Sequence, residues 1–360
     1  MIHKVGVSRH EPSPVSYFLK TTIPQSPSHA QLLRSVVSCV LLTATYIMHP
    51  LQYVYRIVKG KWVPPKNTKP DLTGRTIIIT GANTGVGFEA AVKLVACGAQ
   101  KVILAVRTLS KGEDAARKII ERTGRKGVVE VWELDMLDYS SVKAFAKRAE
   151  TQLDRLDTAI LNAGVVKLRF QSSKYGWEET MQVNVLSTTL LALLLMPKLK
   201  ASKTDSYTPV LEIIGSGNQY MVKSLHSETT PLASYNEAAN FSGPVHYSVS
   251  KLFVMYAQHY LTQLANATPS ARPGTHVTVV CPGATKSDLG RDADAWYMKL
   301  AMSIFSFLMQ KTTEEGSREY VSGIDLGEKG HGKFWTEDRI AWPAPLMEGE
   351  KGKVLQERVW

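Results

Sequence analysis

Cysteine is scarce in this sequence of 360 residues, which contains three. Cys39, Cys97 and Cys281 lie far apart and form no Cys-x-x-Cys pair, which argues against a disulfide scaffold and against a thiolate zinc site. Internal repeats and low-complexity tracts are also lacking. Hydrophobic residues make up 44% and charged residues 21%, as in ordinary globular proteins, so the chain can bury a substantial core.

Excess positive charge is nearly missing beyond the first 70 residues. The net charge is +11, and residues 1–70 contribute +8 of it, because they hold nine Lys and Arg residues and one acidic residue, Glu11. The rest of the chain carries a net charge of +3. A nucleic-acid-binding protein would need a basic face on its folded domain. Because the charge lies elsewhere, we predict no nucleic-acid partner.

One uncharged run, residues 35–55, has fourteen apolar residues among its 21 and is about as long as a bilayer-spanning helix. Serine, threonine, histidine and proline dilute its apolar character. We interpret the run as a membrane-associated helix, either spanning or in-plane. The alternative is a helix packed on the surface of the main domain. The run begins too far into the chain for a secretory signal peptide and lacks a clear cleavage site.

The flanks of this run complete an N-terminal extension. Residues 1–34 contain four prolines and no apolar period, and we expect a flexible basic tail; residues 56–70, with five basic residues, form a basic linker. If the run spans, the positive-inside rule places the main domain in the cytosol. We therefore expect a membrane-associated protein, for example at the endoplasmic reticulum, whose main domain faces the cytosol. A cytoplasmic protein is the alternative.

From residue 71 onward, short β-branched runs alternate with helix-like stretches. Such alternation implies parallel strands joined through βαβ units. We predict one α/β domain, residues 71–335, with a doubly wound parallel sheet and helices on both faces, followed by a C-terminal tail, 336–360. The predicted strands are Thr76–Thr80, Val102–Ala105, Val128–Trp132, Thr158–Leu161, Val210–Ile214 and His276–Cys281, and the predicted helices include Gly87–Ala96, Lys111–Arg122 and Ser140–Leu153.

The first predicted strand leads into a glycine-rich turn. Glycine permits a tight turn and a close approach of the backbone to a pyrophosphate. The N-terminus of the following helix offers free N–H groups and a positive dipole end. Because the turn lies between a strand and a helix, we predict a Rossmann-type dinucleotide site rather than a merely structural turn. Its residues are Gly81, Asn83, Thr84, Gly85, Val86 and Gly87.

The second strand indicates which dinucleotide binds. NAD-binding proteins place an acidic residue near the end of this strand, where it holds the ribose hydroxyls. Here the acid is absent, and Arg107 stands next to its slot with Lys111 nearby. A guanidinium suits a 2′-phosphate, which favours NADP; the alternative is that Arg107 is a solvated charge. After the third strand, Asp135 is expected near the adenine or, alternatively, as a loop cap.

Tyr247 and Lys251 are spaced like two residues on one face of a helix, so a phenol and an ammonium would point into one cleft. Free tyrosine titrates at about pH 10, and a neighbouring ammonium lowers that pKa toward neutrality. Ser216 follows the fifth strand, at the strand ends where open α/β sheets bind ligands. A hydroxyl there can hydrogen-bond a reacting carbonyl oxygen; the alternative is a simple turn serine.

In this order the motifs resemble a classical-type short-chain dehydrogenase/reductase over residues 71–334. The resemblance rests on the glycine-rich turn, Ser216, the Tyr-x3-Lys pair, Asn162 in an Asn-Ala-Gly run, and Pro282 followed by Gly283. It implies that Asn162, Pro282 and Gly283 help to bind the cofactor. In such enzymes a hydride passes directly between nicotinamide and substrate carbon, so no metal is expected.

The resemblance also implies a role for each polar residue of the site. Tyr247 would be the general acid–base, and Lys251 would lower its pKa and hold the nicotinamide ribose. Ser216 would polarise the carbonyl. Asn184 matches the asparagine that holds a proton-relay water. Ser287 occupies the slot of a threonine near the nicotinamide amide.

Three departures from the family pattern stand out. Leu161 replaces an asparagine, Gly215 replaces a frequent serine, and 31 positions separate Ser216 from Tyr247. The long separation is similar to that of the retinol-dehydrogenase-like and fungal biosynthetic members, as is the segment 310–316. We expect the inserted stretch, 218–246, to form part of the substrate mouth.

Residues 292–309 are rich in large apolar side chains, and the matching segment of the family covers the substrate. We expect an apolar lid at about 290–320 over a bulky lipophilic substrate; the alternative is a helix packed on the core. The function predicted is NADP(H)-dependent hydride transfer to or from the carbonyl or secondary alcohol of that substrate, with ketone reduction in a secondary-metabolite pathway preferred. A retinoid- or steroid-type alcohol dehydrogenase and a non-catalytic NADP-binding sensor or pathway scaffold are the alternatives.

Overall fold

An eight-stranded, mostly parallel sheet forms the centre of the computed structural model, which describes residues 59–266, 273–286 and 310–360. The strand order is β3-β2-β1-β4-β5-β6-β7-β8, and among the strands of the described residues β7 and β8 alone pair antiparallel. The predicted doubly wound α/β fold is therefore confirmed. The strands are β1 Thr76–Thr80, β2 Lys101–Val106, β3 Val129–Glu133, β4 Thr158–Leu161, β5 Val210–Ile214, β6 His276–Val280, β7 Lys333–Thr336 and β8 Arg339–Ala341.

Helices cover both faces of the sheet, and this explains why β1, β4, β5 and β6 are buried along their whole length. In β1, Ile77 and Ile79 face one core, and Ile78 faces the other. Helices α1, α2 and α6 cover the first face, and α3, α4, α5 and α7 the second. The helices are α1 Gly85–Ala96, α2 Leu109–Thr123, α3 Tyr139–Gln152, α4 Glu179–Ala201, α5 Gly243–Asn266, α6 Thr313–Asp325 and α7 Gly349–Val359.

Helix α4 contains a π-helical turn, Gln182–Ser187, between its first residues and the regular helix Thr188–Ala201. The Thr188 hydroxyl donates to the Val183 carbonyl (2.8 Å), which satisfies a carbonyl inside the π turn. Among the described residues, α4 is the helix long and apolar enough to cross a membrane, but 67% of its apolar window is buried in the protein. A buried core helix passes the same test, so this is weak evidence for a span.

Residues 336–360, expected as a tail, form part of the folded domain. The strand β8 pairs with β7, and α7 buries Leu355 against the second core. A tight turn joins β7 to β8 through Glu337 and Asp338, whose φ angles are +53° and +55°. The carboxylate of Glu319 on α6 accepts from the Glu337 N–H (2.6 Å), and this contact stabilises the left-handed turn. Residues 336–360 were predicted as a tail because β8 is short and shows no clear periodicity.

The predicted linker also contacts the domain within its described part. Lys61 Nζ donates to the Gln310 carbonyl (2.9 Å), and the Lys66 N–H donates to the Asp338 carboxylate (2.9 Å). Residues 59–66 therefore belong to the same folded unit as the sheet. The predicted membrane-associated run, 35–55, lies outside the described residues.

The predicted lid, about 290–320, is only partly described. Residues 287–309 lie outside the described part of the chain. Residues 313–320 belong to α6, which packs against α1 and the sheet. A capping box fixes the start of α6: Glu315 N–H donates to Thr312 Oγ1 (3.1 Å), and Thr312 N–H donates to Glu315 Oε2 (2.8 Å).

Candidate active site

The candidate site lies at the carboxyl edge of the sheet because three neighbouring strands end at one level. Leu161 at the end of β4 pairs with Ile213 of β5, and Ile214 pairs with Val280 at the end of β6. The segments that follow these strands carry Asn162, Ser216 and Pro282. The register alone therefore brings motifs from distant parts of the sequence to one edge.

Ser216, Tyr247 and Lys251 meet at this edge. The Tyr247 phenol is hydrogen-bonded to Ser216. Lys251, one helical turn after Tyr247 on α5, is 5% exposed, and its Nζ lies 5.7 Å from the centre of the Tyr247 ring. The same Nζ donates to the Ile214 carbonyl (2.7 Å), the last residue of β5. The three groups are thus fixed to one strand end and one helix.

Burial controls the protonation of this pair. Burial raises the pKa of Tyr247 to about 12, although its hydrogen bond with Ser216 acts in the opposite direction. Burial also lowers the pKa of Lys251 to about 8. The lowering of the Tyr247 pKa by Lys251, expected from their spacing, is therefore not the dominant effect in this structure, because desolvation of the phenolate is the largest cause of the shift. The phenol stays protonated at neutral pH.

Asn184 lies in the π turn of α4 and is 1% exposed. Its Nδ2 donates to the Val165 carbonyl (2.9 Å) and to Ser250 Oγ (3.0 Å), and its Oδ1 accepts from the Val165 N–H (2.9 Å). Both N–H groups of the amide are therefore occupied by protein acceptors, and Asn184 ties α4 to the segment after β4 and to α5. Its role in holding a relay water stays a prediction.

The glycine-rich turn fits a bound phosphate. Gly85 starts α1 with a φ of +65°, and among the described residues, apart from its chain neighbours and its own helix backbone, no atom lies within 4 Å of the position where a Cβ would stand. This open space adjoins the first turn of α1, whose N–H groups have no intrahelical acceptors. Gly87 is required for packing instead, because a Cβ there would lie 2.5 Å from Asn162 Nδ2. Of the other predicted residues in the turn, Thr84 is exposed, Asn83 is half-buried and Val86 is buried.

The residues predicted to read the nucleotide lie at the ends of β2 and β3. Arg107 directly follows β2 and Lys111 lies in the first turns of α2; both side chains are exposed. Within the described ranges, neither cation has a carboxylate at ion-pair distance. The Asp135 carboxylate accepts from the Leu137 N–H (2.9 Å) and so caps the loop after β3, while its expected position near the adenine stays a prediction.

Pro282 and Gly283 follow β6, whereas Ser287 lies outside the described residues. Gly283 has a φ of +74°, and a Cβ there would lie 2.9 Å from Lys311 Nζ. The buried Cys281 thiol accepts from the N–H groups of Gly217 and Gly283, both at 3.3 Å. It therefore joins the segment after Ser216 to the Pro-Gly segment, a role without any sequence signal.

The departure at Gly215 has a packing explanation. A Cβ at this position would lie 2.5 Å from Val279 Cγ1 and 3.2 Å from the Phe334 ring. The larger serine of the family pattern would therefore collide with β6 and β7 in this chain.

Comparisons with known proteins agree with this geometry. The family model described as short chain dehydrogenase matches residues 75–298. The short-chain dehydrogenase/reductase ffsI of Aspergillus flavipes is 36% identical over 301 residues, covering 82% of this chain and 87% of its own. The phmF protein of Phaeosphaeria nodorum, of the same description, has the same identity and coverage.

The chain belongs to the short-chain dehydrogenase/reductase family. The family predicted from the ordered motifs is therefore confirmed, and membership makes the protein an oxidoreductase. A solved structure from Mycobacterium paratuberculosis has a TM-score of 0.58 at 23% identity and covers 81% of this chain and 94% of its own. The RhlG/NADP complex of Pseudomonas aeruginosa has a TM-score of 0.55 at 21% identity, with coverages of 73% and 94%. At these identities the two structures support the fold.

The low pKa of Lys251 makes stability depend on pH. Its folded pKa, about 8, lies below its unfolded pKa, so between the two values the unfolded chain binds more protons and the free energy of unfolding rises with pH. We expect a rise of about 2 kcal/mol between about pH 7.5 and about pH 9.5 from this one group.

Urea unfolding of the wild type and of Lys251→Met at both pH values measures this effect. The variant should lack the Lys251 contribution, so the difference in unfolding free energy between the two proteins should change by that amount. A difference that stays constant over this pH range would show that Lys251 titrates normally in the folded protein.

Proposed function

We propose that this oxidoreductase is an NADP(H)-dependent reductase that converts a lipophilic ketone to a secondary alcohol in a fungal secondary-metabolite pathway. The observation that carries the proposal is the meeting of Ser216, Tyr247 and Lys251 beside the open glycine-rich turn. An NADP-binding sensor or scaffold would have no need of this polar set. The fungal origin of the relatives named above favours a biosynthetic role.

The residues present fit NADP. Its diphosphate would lie at Gly85 and the first turn of α1, and its 2′-phosphate near Arg107 and Lys111, whose charges have no carboxylate partners within the described ranges. Solved relatives from Shigella flexneri and Pseudomonas aeruginosa are complexes with NADP, with TM-scores of 0.52 and 0.55. When bound, the reduced nicotinamide would supply a hydride to the substrate carbon.

The chain's own residues would handle the proton and the developing charge. Ser216 Oγ would hydrogen-bond the carbonyl oxygen and stabilise negative charge on it. Tyr247, protonated at neutral pH because of its burial, would donate its proton to that oxygen. The Lys251 ammonium would stabilise the resulting phenolate.

Aromatic side chains beside the catalytic helix support an apolar substrate. Phe241 lies in the inserted stretch and contacts His246, the residue before Tyr247, with ring centres 4.6 Å apart. Phe170, in the segment after β4, packs edge-to-face on Phe241 at 5.8 Å. Both phenyl rings are half-buried, so they can offer apolar surface to a substrate.

Removal of the Tyr247 hydroxyl tests the catalytic assignment. We expect Tyr247→Phe to lower kcat for ketone reduction by about 10²- to 10⁴-fold, because the general acid is lost, while NADPH affinity changes less than about twofold. NADPH oxidation over a panel of lipophilic ketones and aldehydes measures turnover. Tyr260→Phe, on the same helix but away from the site, is the control. Comparable turnover by wild type and Tyr247→Phe would exclude this role.

A charge reversal at Arg107 tests cofactor choice. We expect Arg107→Asp to reduce the preference for NADPH over NADH by about ten- to hundredfold, because a charge-assisted contact with the 2′-phosphate is lost and a ribose-binding acid is introduced. The ratio of kcat/KM for the two cofactors measures the preference. Lys126→Asp makes the same charge change on an exposed lysine after α2. An unchanged ratio in Arg107→Asp would remove Arg107 from the phosphate site.

We also propose membrane association through residues 35–55, with the catalytic domain in the cytosol. Trp62 and Val63, which follow this run, are 76% and 60% exposed, and Lys59 and Lys66 beside them are exposed as well. Exposed tryptophan among lysines is typical of a segment at a membrane surface.

Deletion of residues 1–58 tests this association and spares the contacts of Lys61 and Lys66 with the domain. The full chain, expressed in a fungal host, should sediment with membranes, and the deletion variant should stay in the supernatant with unchanged specific activity. A full chain found in the supernatant would contradict the proposal.

A further inference from the structure

Tyr320 connects helix α6 to the glycine-rich turn. Its side chain is 1% exposed, and its hydroxyl donates to Asn162 Oδ1 at 2.8 Å. Burial, and the nearby Glu212 carboxyl after it, raise the pKa of this phenol well above its ordinary value. The hydroxyl therefore remains a proton donor over the whole working pH range.

The Asn162 amide in turn holds the base of the turn. Its Nδ2 donates to the carbonyls of Thr80 (2.7 Å) and Gly81 (3.3 Å), the last residue of β1 and the first residue of the turn. The Ala163 N–H completes the contact by donating to Thr80 Oγ1 (2.8 Å). The same Nδ2 fills the space where a Cβ of Gly87 would stand. One amide therefore touches both ends of the turn.

The position of Tyr320 is itself well fixed. Glu314, six residues earlier on α6, forms ion pairs with Lys93 of α1 and with Arg318 of α6. The capping box at Thr312 fixes the start of the same helix. The Tyr320 phenol thus projects from a helix that is bound to α1, and α1 directly follows the glycine-rich turn.

We propose that Tyr320 is a positioning residue for the cofactor-binding turn, acting through Asn162. Both N–H groups of the Asn162 amide are used by Thr80 and Gly81, and within the described ranges Tyr320 is the donor to its oxygen. With that donor in place the amide is held in one orientation and the turn keeps the shape that receives the diphosphate. The inference rests on the proposed NADP(H) function.

A matched control separates positioning from simple stability. Tyr256, on α5, is fully buried, and its hydroxyl donates to the Leu346 carbonyl at 2.9 Å, on the opposite face of the sheet. Tyr320→Phe and Tyr256→Phe therefore each remove one buried hydroxyl and one hydrogen bond. Only the first of these bonds leads to the cofactor-binding turn.

We expect Tyr320→Phe to raise the dissociation constant and the KM for NADPH about three- to tenfold, with kcat within about twofold of wild type. Tyr256→Phe should leave both constants unchanged. Fluorescence titration with NADPH and steady-state kinetics of the full chain give these values. In the Asn162→Ala background, Tyr320→Phe should have no further effect on NADPH affinity, because the contact through which it acts is already absent.

Amide hydrogen exchange of residues 81–87 supplies a readout that does not need cofactor. Exchange there should be faster in Tyr320→Phe than in wild type or Tyr256→Phe. Equal exchange and equal NADPH affinity in the two tyrosine variants would overturn the proposal. If wild type binds neither NADPH nor NADH, the proposed function fails by itself, and the exchange comparison still decides whether Tyr320 positions the turn.

Discussion

The site depends on one constraint, which is that β4, β5 and β6 end at the same level of the sheet. Parallel strands with a fixed register send every following segment out at the same edge, so Asn162, Ser216 and Pro282 become neighbours although up to 120 positions separate them. The pairing is stable because helices bury both faces of these strands. A one-residue slip of β5 would turn its buried side chains over and would displace Ser216 from Tyr247.

Burial determines the protonation of the Tyr247–Lys251 pair. The same apolar surroundings that exclude water raise the pKa of Tyr247 and lower the pKa of Lys251. Both pKa shifts therefore favour the uncharged form of the side chain. An oxygen that develops negative charge beside this pair would be stabilised by the phenol proton and by the ammonium.

The sequence predicted the elements with strong local signals. The β-branched runs located β1, β4 and β5 at their observed bounds, and the motif order identified the family. The strands β7 and β8 were missed because each contains one β-branched residue, Thr336 and Ile340, and therefore no β-branched run. The π turn has no local signal, since α4 is apolar through most of its length.

The direction of the Tyr247 pKa shift could not be predicted from the spacing of Tyr247 and Lys251. Desolvation causes this shift, and it depends on the packed surroundings rather than on one neighbouring residue. The role of Tyr320 could not be predicted, because a single tyrosine in an amphipathic helix is usually an ordinary core residue.

The π turn of α4 also limits how this helix can change during evolution. A π turn carries one residue more than a regular helix of the same rise, so the two parts of α4 are rotated relative to each other by about a quarter turn. Deleting a single residue between Gln182 and Ser187 would regularise the helix, rotating either Asn184 away from Val165 or the apolar side chains after Thr188 away from the core. The extra residue and the Asn184 contact therefore depend on each other, and a single deletion in this turn would cost one of the two packing arrangements.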